Sequence, residues 1–202
     1  MTGQMPLPLS YRGGPGQSRF FVSDANRSAV AQIDQWREWP EGGAALLGPE
    51  GSGKSHLARL TSQRAGKCLV VVEDADQDRD EAGLFHLANR ARNGGAALLI
   101  TARTPPASWT ITLADLGSRV RSLPILRIEE PDEALMPELL AKALRARGVV
   151  APPDVLSYVA LRLERRYAAI HDAAARLDAA ALAMGRNLSV PLARRTLFDQ
   201  ED

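Results

Sequence analysis

The sequence predicts an α/β domain built on a narrow parallel sheet, followed by a small α-helical domain. Three observations carry that expectation. Apolar runs of strand length alternate with helical stretches as far as residue 130. From Asp132 onward the periodicity is helical only. Between the first core strand and its helix lies Gly48-Pro49-Glu50-Gly51-Ser52-Gly53-Lys54-Ser55, a complete G-x-x-x-x-G-K-S run. A chain of 202 residues can bury one sizeable core and a small second lobe. The expected segments are a tail and linker over 1–18, the α/β domain over 19–130 and the helical domain over 131–202, with Glu129-Glu130-Pro131-Asp132 as the junction.

Each element has its own local reason. Residues 1–9 form a short apolar segment with prolines, and Tyr11 to Ser18 reads as a flexible linker rich in glycine. Phe20-Phe21-Val22 reads as extended. Ser23 or Asp24 can cap a helix in which Ala29, Ile33 and Trp36 share a stripe, and Glu41-Gly42-Gly43 breaks it. Ala44 to Leu47 is a short buried strand, and His56-Leu57-Ala58-Arg59-Leu60 reads as the helix after the loop. Leu69 to Val72 is a second strand, ending in Glu73-Asp74-Ala75-Asp76. Leu84, Leu87, Ala88 and Ala91 mark one helix face, which Asn93-Gly94-Gly95 stops. Ala97 to Thr101 is a third strand, with Pro105-Pro106 beyond it, and Leu123 to Ile128 holds a fourth. Helices follow at about 132–147, 153–164, 167–184 and 190–198. Residues 56–68 have room for one helix and a turn and for no further strand. The sheet is therefore expected to have four parallel strands, near 44–47, 69–72, 97–101 and 124–128.

Composition narrows the function classes. The 25 basic and 24 acidic residues nearly cancel, so no strong field draws the chain to nucleic acid or to an anionic membrane. The single Cys68 excludes an intramolecular disulfide and reads as a buried thiol. The histidines at 56, 86 and 171 are scattered, which gives a zinc site little support. No apolar run approaches the ~20 residues of a membrane span, and the N-terminus lacks a secretory pattern. The expectation is a cytoplasmic protein. The alanines after Ala168 favour close-packed helices.

The strand–loop–helix run carries the chemistry. Its glycines let successive backbone N–H groups turn inward around phosphate oxygens, and the helix N-terminus adds partial positive charge. Residues 48–55 and His56 are the expected nucleotide contacts. Lys54 reaches the β and γ phosphates, and the Ser55 hydroxyl can ligate Mg²⁺. Such a site needs an acid at the end of a neighbouring strand to hold water on the metal, and often a second to orient the attacking water. Glu73 and Asp74 stand there, with Asp74 the expected metal partner and Asp76 a competing acid; an acidic turn at a strand end is the plain alternative. Thr101, at the end of the next strand, is placed to sense the γ-phosphate or the water, or is an ordinary strand-end threonine.

Together these features resemble AAA+ P-loop ATPases of the DnaA clade, and within it the Hda family of replication regulators. The resemblance covers nearly the whole chain and identifies the helical domain with the AAA+ lid. Phe21-Val22-Ser23-Asp24-Ala25-Asn26 looks like the clade's N-terminal box, which implies adenine contacts at Val22 and Asn26. Leu98 to Pro106 is similar to the sensor-1 strand and its Pro-Pro turn. Asp115-Leu116-Gly117-Ser118-Arg119-Val120 resembles the arginine-finger segment, with Arg119 as the finger. Leu163 to Ala168 is similar to the sensor-2 region; Ala168 stands at the nominal position, and Arg165 or Arg166 supplies the charge. Gln4-Met5-Pro6-Leu7-Pro8-Leu9 is similar to the family's clamp-binding Q-L-x-L-P-L peptide, with Gln4, Met5, Leu7 and Leu9 as contacts and Met5 in place of leucine.

The resemblance implies ADP or ATP with Mg²⁺ as ligands. It implies the sliding clamp of DNA polymerase III and DnaA as partners, with a homodimer as a further one. Sequence-specific DNA binding is not expected, since the chain ends at Asp202 with no room after the lid for a helix-turn-helix. The implied activity is that of an adaptor: it docks on the DNA-loaded clamp and offers Arg119 to ATP-bound DnaA, which speeds DnaA's hydrolysis and restrains replication initiation. The shortened segment after the phosphate loop and the Glu-Asp order of the acidic pair imply weak hydrolysis by the chain itself. Two other readings are an autonomous ATPase of the helicase-loader type and a small P-loop kinase.

Overall fold

The computed structural model describes residues 9–11, 20–77, 79–184 and 187–199. The chain divides into two compact units, one of Ser10–Glu129 and one that groups Leu9 with the residues from Glu130 onward.

The first unit is a three-layer α/β domain. Strands β1 (Leu9–Tyr11) and β2 (Phe20–Val22) pair as a two-stranded sheet. Its central sheet holds β3 (Gly43–Leu47), β4 (Leu69–Val72), β5 (Ala97–Ala102) and β6 (Ile125–Arg127). The order is β4-β5-β3-β6, and every pairing is parallel. The narrow sheet follows from sequence length: residues between the phosphate loop and β4 are taken up by α2 (Lys54–Ala65) and a 3-10 turn at Gly66–Cys68.

Strand alternation sends side chains to both faces. Ala45, Leu47, Leu98, Ile100 and Ala102 pack with Leu84, Ala88, Leu116 and Val120, so α3 (Glu81–Arg92) and α4 (Ala114–Ser122) cover one face. α2 packs on β4 and β5, and α1 (Arg27–Asp34) on β6. All five residues of β3 are buried, as a central parallel strand requires. α3 begins where the Asp80 carboxylate accepts from Gly83 N at 3.0 Å, a cap that satisfies an orphan helix donor.

The helical unit holds α5 (Leu135–Arg145), α6 (Pro153–Ala160), α7 (Tyr167–Met184) and α8 (Val190–Leu197). Its core joins Met136, Leu140 and Leu144 to Val155, Val159, Ile170 and Leu177. Ala173 and Ala174 let α5 and α7 approach closely. Among the described residues no helix is long and apolar enough to cross a membrane.

Several local expectations need correction. Leu9 and Tyr11, expected in a loose tail and linker, belong to β1, because a β-prone triplet finds the edge of β2. α1 begins at Arg27 with Asn26 at its N-cap position, and neither Ser23 nor Asp24 caps it through a side chain. Trp36 falls in a 3-10 turn after the helix; Trp39 is the buried indole, its Nε1–H donating to Gln32 O at 2.9 Å. Cys68 is exposed, because the turn that replaces a longer connection leaves it outside the sheet.

Gly42 separates a steric effect from a conformational one. Its φ is 71°, and a Cβ there would lie 2.3 Å from Ala91 O, whereas Gly94 has φ 78° with nothing within 4 Å. Gly94→Ala should cost about 1 kcal/mol of left-handed strain, and Gly42→Ala at least ~3 kcal/mol because the α3 backbone must also shift. Urea unfolding of both variants checks this; equal losses would show that Ala91 yields freely.

Candidate nucleotide site

The phosphate loop leaves the end of β3 through a passage only glycine fits. A Cβ at Gly48 would lie 2.9 Å from Ile128 O and from Ser52 Oγ. Gly51 and Gly53 adopt φ of 75° and 90°, the left-handed region that turns backbone N–H groups toward the inside of the loop. Gly53 also lies under the Phe20 ring, which would be 3.0 Å from an added Cβ. Phe20 in turn stacks on His56 at 6.0 Å between centroids.

Lys54 opens α2 and folds back into the loop. Its Nζ donates to Gly48 O at 2.8 Å and to Pro49 O at 2.9 Å, and the residue is 7% exposed. Burial pushes its ammonium below the ordinary lysine value, Asp74 pushes it back up, Arg103 lowers it, and Asp76 and Glu50 raise it. Ser55 is exposed in the first turn of α2, and Ser52 Oγ is buried with no hydrogen-bond partner.

The acidic strand end lies on the same rim. β5 runs between β3 and β4, with Leu46 opposite Thr101 and Val72 opposite Ile100, so Thr101 stands between the phosphate loop and the acidic pair. Glu73 and Asp74 are exposed, and Asp74 takes a left-handed φ of 47°. Thr101 is fully buried; its Oγ1 accepts from Asp74 N at 3.1 Å and its carbonyl from Ala75 N at 2.9 Å. The threonine hydroxyl thus anchors the acidic turn.

Asp76 does something the sequence did not reveal. Its Oδ2 accepts from Arg103 N at 2.9 Å, Thr104 N at 2.9 Å and Thr104 Oγ1 at 3.1 Å, while Oδ1 is buried without a partner. Burial pushes its carboxyl up, and the hydrogen bonds from Thr104 and Arg103 outweigh that and hold it below the ordinary aspartate value. The carboxylate fixes the backbone from which Arg103 reaches Glu50 of the phosphate loop at 2.8 Å. No sequence spacing links 50, 76 and 103; the β3–β5 register, with Leu47 opposite Ala102, brings them together.

Other expected site residues lie apart. Asn26 is buried, its Oδ1 accepting from Ser23 N at 3.1 Å and its Nδ2 donating to Phe21 O at 2.9 Å, so the amide shapes the turn after β2. Val22 is buried beside it. Arg119 is half-buried on α4, its guanidinium 5.2 Å from the Phe85 ring centre and its Nε buried without a hydrogen-bond partner. It borders Gly43, Leu98 and Leu123, at the strand starts, and so stands at the opposite end of the sheet from Lys54. Arg121 on the same turn is exposed. In the helical unit, Arg165 pairs with Glu133 at 3.1 Å and Arg166 with Glu164 at 3.6 Å, all four side chains exposed. Gln4, Met5 and Leu7 lie outside the described residues.

The whole fold is similar to domain III of the replication initiation protein DnaA from Thermotoga maritima, with a TM-score of 0.69, 17% identity, and 89% of this chain and 95% of that one covered. Residues 132–197 match the family model of the Hda lid domain. The chain has the AAA+ fold of DnaA domain III, and its helical unit matches the Hda lid. The chain is also similar to an uncharacterised protein of Haemophilus influenzae, 27% identical over 235 residues, covering 98% of this chain and 99% of that protein. AMPPCP-bound DnaA from Aquifex aeolicus matches with a TM-score of 0.56 and 15% identity, over 76% of this chain and 61% of the other.

The Asp76 tether has a pH signature. A carboxyl held below its unfolded value stabilises the fold above that value, near pH ~3.9, and the contribution is lost as pH falls through the lower, folded value. Asp76→Ala should cost about 2 kcal/mol at neutral pH, and the gap to the parent should close below pH ~4. Urea unfolding at both pH values reads this; a gap unchanged in acid would mean the carboxylate charge is not what holds Arg103 and Thr104.

Proposed function

We propose that this protein is a DnaA-related adaptor. In this reading it binds adenine nucleotide with Mg²⁺, docks on the sliding clamp through Gln4, Met5, Leu7 and Leu9, and stimulates ATP hydrolysis by DnaA. The single observation that carries the trans-acting part is the position of Arg119. β3 rises about 3.3 Å per residue, so its length of five residues keeps Arg119, at the strand starts, roughly 13 Å or more from the rim that bears Lys54. An arginine so distant cannot stabilise charge on the chain's own nucleotide, and a guanidinium suits the spread charge of a γ-phosphoryl group on a neighbour.

The loop residues fit a bound nucleotide. The glycine cradle that a Cβ would fill, the unpartnered Ser52 Oγ and the inward Lys54 all suit phosphate oxygens. Ser55 would contribute its hydroxyl to Mg²⁺ and Asp74 would hold metal-bound water; the metal, when bound, neutralises phosphate charge. The AMPPCP in the Aquifex DnaA supports adenine as the base. Val22 and Asn26 shape the adenine side in this reading, and Arg165 or Arg166 supplies the lid charge. Slow hydrolysis by the chain itself is supported by Thr101, whose buried hydroxyl is engaged by Asp74 N. An autonomous ATPase of the helicase-loader type draws support from Glu73 and Asp74, exposed on the same rim as Lys54.

Two measurements test this. Lys54→Ala should abolish ADP binding in isothermal titration while the fold persists, because the loop's ammonium is gone; unchanged affinity would end the nucleotide assignment. In a reconstitution with DnaA, ATP, DNA and loaded clamp, Arg119→Ala should bind ADP and clamp normally yet leave DnaA turnover at its unstimulated rate, and Gln4→Ala should lose clamp retention. Full stimulation by Arg119→Ala with loss in Arg121→Ala would move the role to the exposed arginine. Rapid turnover without DnaA would favour the autonomous enzyme.

A further inference from the structure

A carboxylate is out of place in a loop built to take phosphate, and this chain carries one at Glu50. Its charge opposes an incoming anion, and Arg103 offsets it, with Nη1 2.8 Å from Glu50 Oε2. The sheet puts Arg103 there. Gly48 N donates to Ala102 O at 3.3 Å, so the residue after Ala102 leaves β5 beside the mouth of the loop. Glu50 follows Pro49, whose carbonyl accepts from Lys54 Nζ at 2.9 Å, and the guanidinium is close enough to that ammonium to oppose its charge. Asp76 holds the backbone N–H groups of Arg103 and Thr104, so the exposed side chain turns from a fixed base. Thr101, the strand-end residue expected to meet the terminal phosphate, is fully buried, and its hydroxyl accepts from Asp74 N.

We propose that Arg103 is a specificity-determining residue, which leaves Glu50 for the terminal phosphate of a bound nucleoside triphosphate and so sets the preference for triphosphate over diphosphate. The inference rests on the adenine-nucleotide reading given above. The exchange follows from the strength of the two pairings. An exposed guanidinium–carboxylate pair contributes little, because water and salt screen it. A phosphoryl group offers the planar guanidinium two parallel charge-assisted hydrogen bonds and a larger negative charge. A diphosphate lacks the third phosphoryl group, and Arg103 then stays on Glu50. The role is distinct from that proposed for Arg119, which stands at the opposite end of the sheet from Lys54.

Isothermal titration of the full chain with ADP and with AMPPCP, a triphosphate analogue that resists hydrolysis, reads the ratio of the two affinities in one preparation. A fraction that fails to fold lowers the stoichiometry and leaves that ratio untouched. In Arg103→Ala the triphosphate-to-diphosphate ratio should fall about tenfold or more, the weight of one charge-assisted pair. Glu50→Gln should raise it, because no carboxylate then competes for the guanidinium. Arg103→Ala in the Glu50→Gln background should again lower the ratio about tenfold. No fall in that background would mean that Arg103 only neutralises Glu50, and overturns the proposal. So does an unchanged ratio in Arg103→Ala alone, and either result leaves the adenine-nucleotide reading standing. A parent that binds neither ligand ends that reading and this proposal with it.

Discussion

Parallel pairing of β3 with both β5 and β6 is the constraint on which the rest of the molecule depends. With every strand pointing the same way, the chain leaves the sheet repeatedly at one rim. The phosphate loop, the acidic turn, the Thr101–Thr104 segment and Ile128 therefore meet without any of them being close in sequence. Ile128 N donates to Leu47 O at 2.8 Å and Gly48 N to Ala102 O at 3.3 Å, which extends the ladder past the strands and into the site. The register also accounts for what cannot meet. Arg119 follows from the same topology, on a helix whose last turn lies by the strand starts.

At that rim the charges are poised around a buried ammonium. Lys54 has lost most of its water and is compensated by two loop carbonyls, with Asp74, Asp76 and Glu50 favouring its charged form and Arg103 opposing it. Asp76 spends one oxygen on the backbone of Arg103 and Thr104, and Arg103 spends its guanidinium on exposed Glu50. An exposed ion pair of this kind contributes ~1 kcal/mol at most, so it orients Arg103 without locking it. The tether is the firm part, because three donors converge on one carboxylate oxygen.

What could be read from the chain was local. The strand–loop–helix run, the four core strands and the four late helices each carry their signal within a dozen residues, through periodicity, glycine and proline. The narrow sheet was legible from length alone, because residues 56–68 hold α2 and a turn. What failed was decided by tertiary partners. Trp36 and Trp39 both fit near an apolar stripe, and the acceptor at Gln32 O selects Trp39. Cys68 precedes an apolar run, but the missing neighbour strand leaves it in solvent. The turn that Asn26 holds through Ser23 N and Phe21 O also has no signature in spacing. Asp76 was visible as an acid, but its partners lie across β5.

The proposed trans role of Arg119 asks what a half-buried arginine gives up on reaching a neighbour. Its guanidinium lies over Phe85, a contact of the cation–π kind worth ~0.5–2 kcal/mol. An arginine offered in trans can accelerate phosphoryl transfer by ~10³–10⁵, which corresponds to about 4–7 kcal/mol of transition-state stabilisation. Releasing the ring therefore consumes the smaller quantity, and a partner that presents a triphosphate can outcompete Phe85. The unpartnered Nε points the same way: it is a buried donor left without an acceptor, a state that costs ~1–3 kcal/mol and that departure from the α3–α4 face relieves. Arg121 has neither cost to recover and no comparable restraint, being exposed on the same turn. On the proposed role, the Phe85 contact therefore sets only a modest threshold for release of the guanidinium.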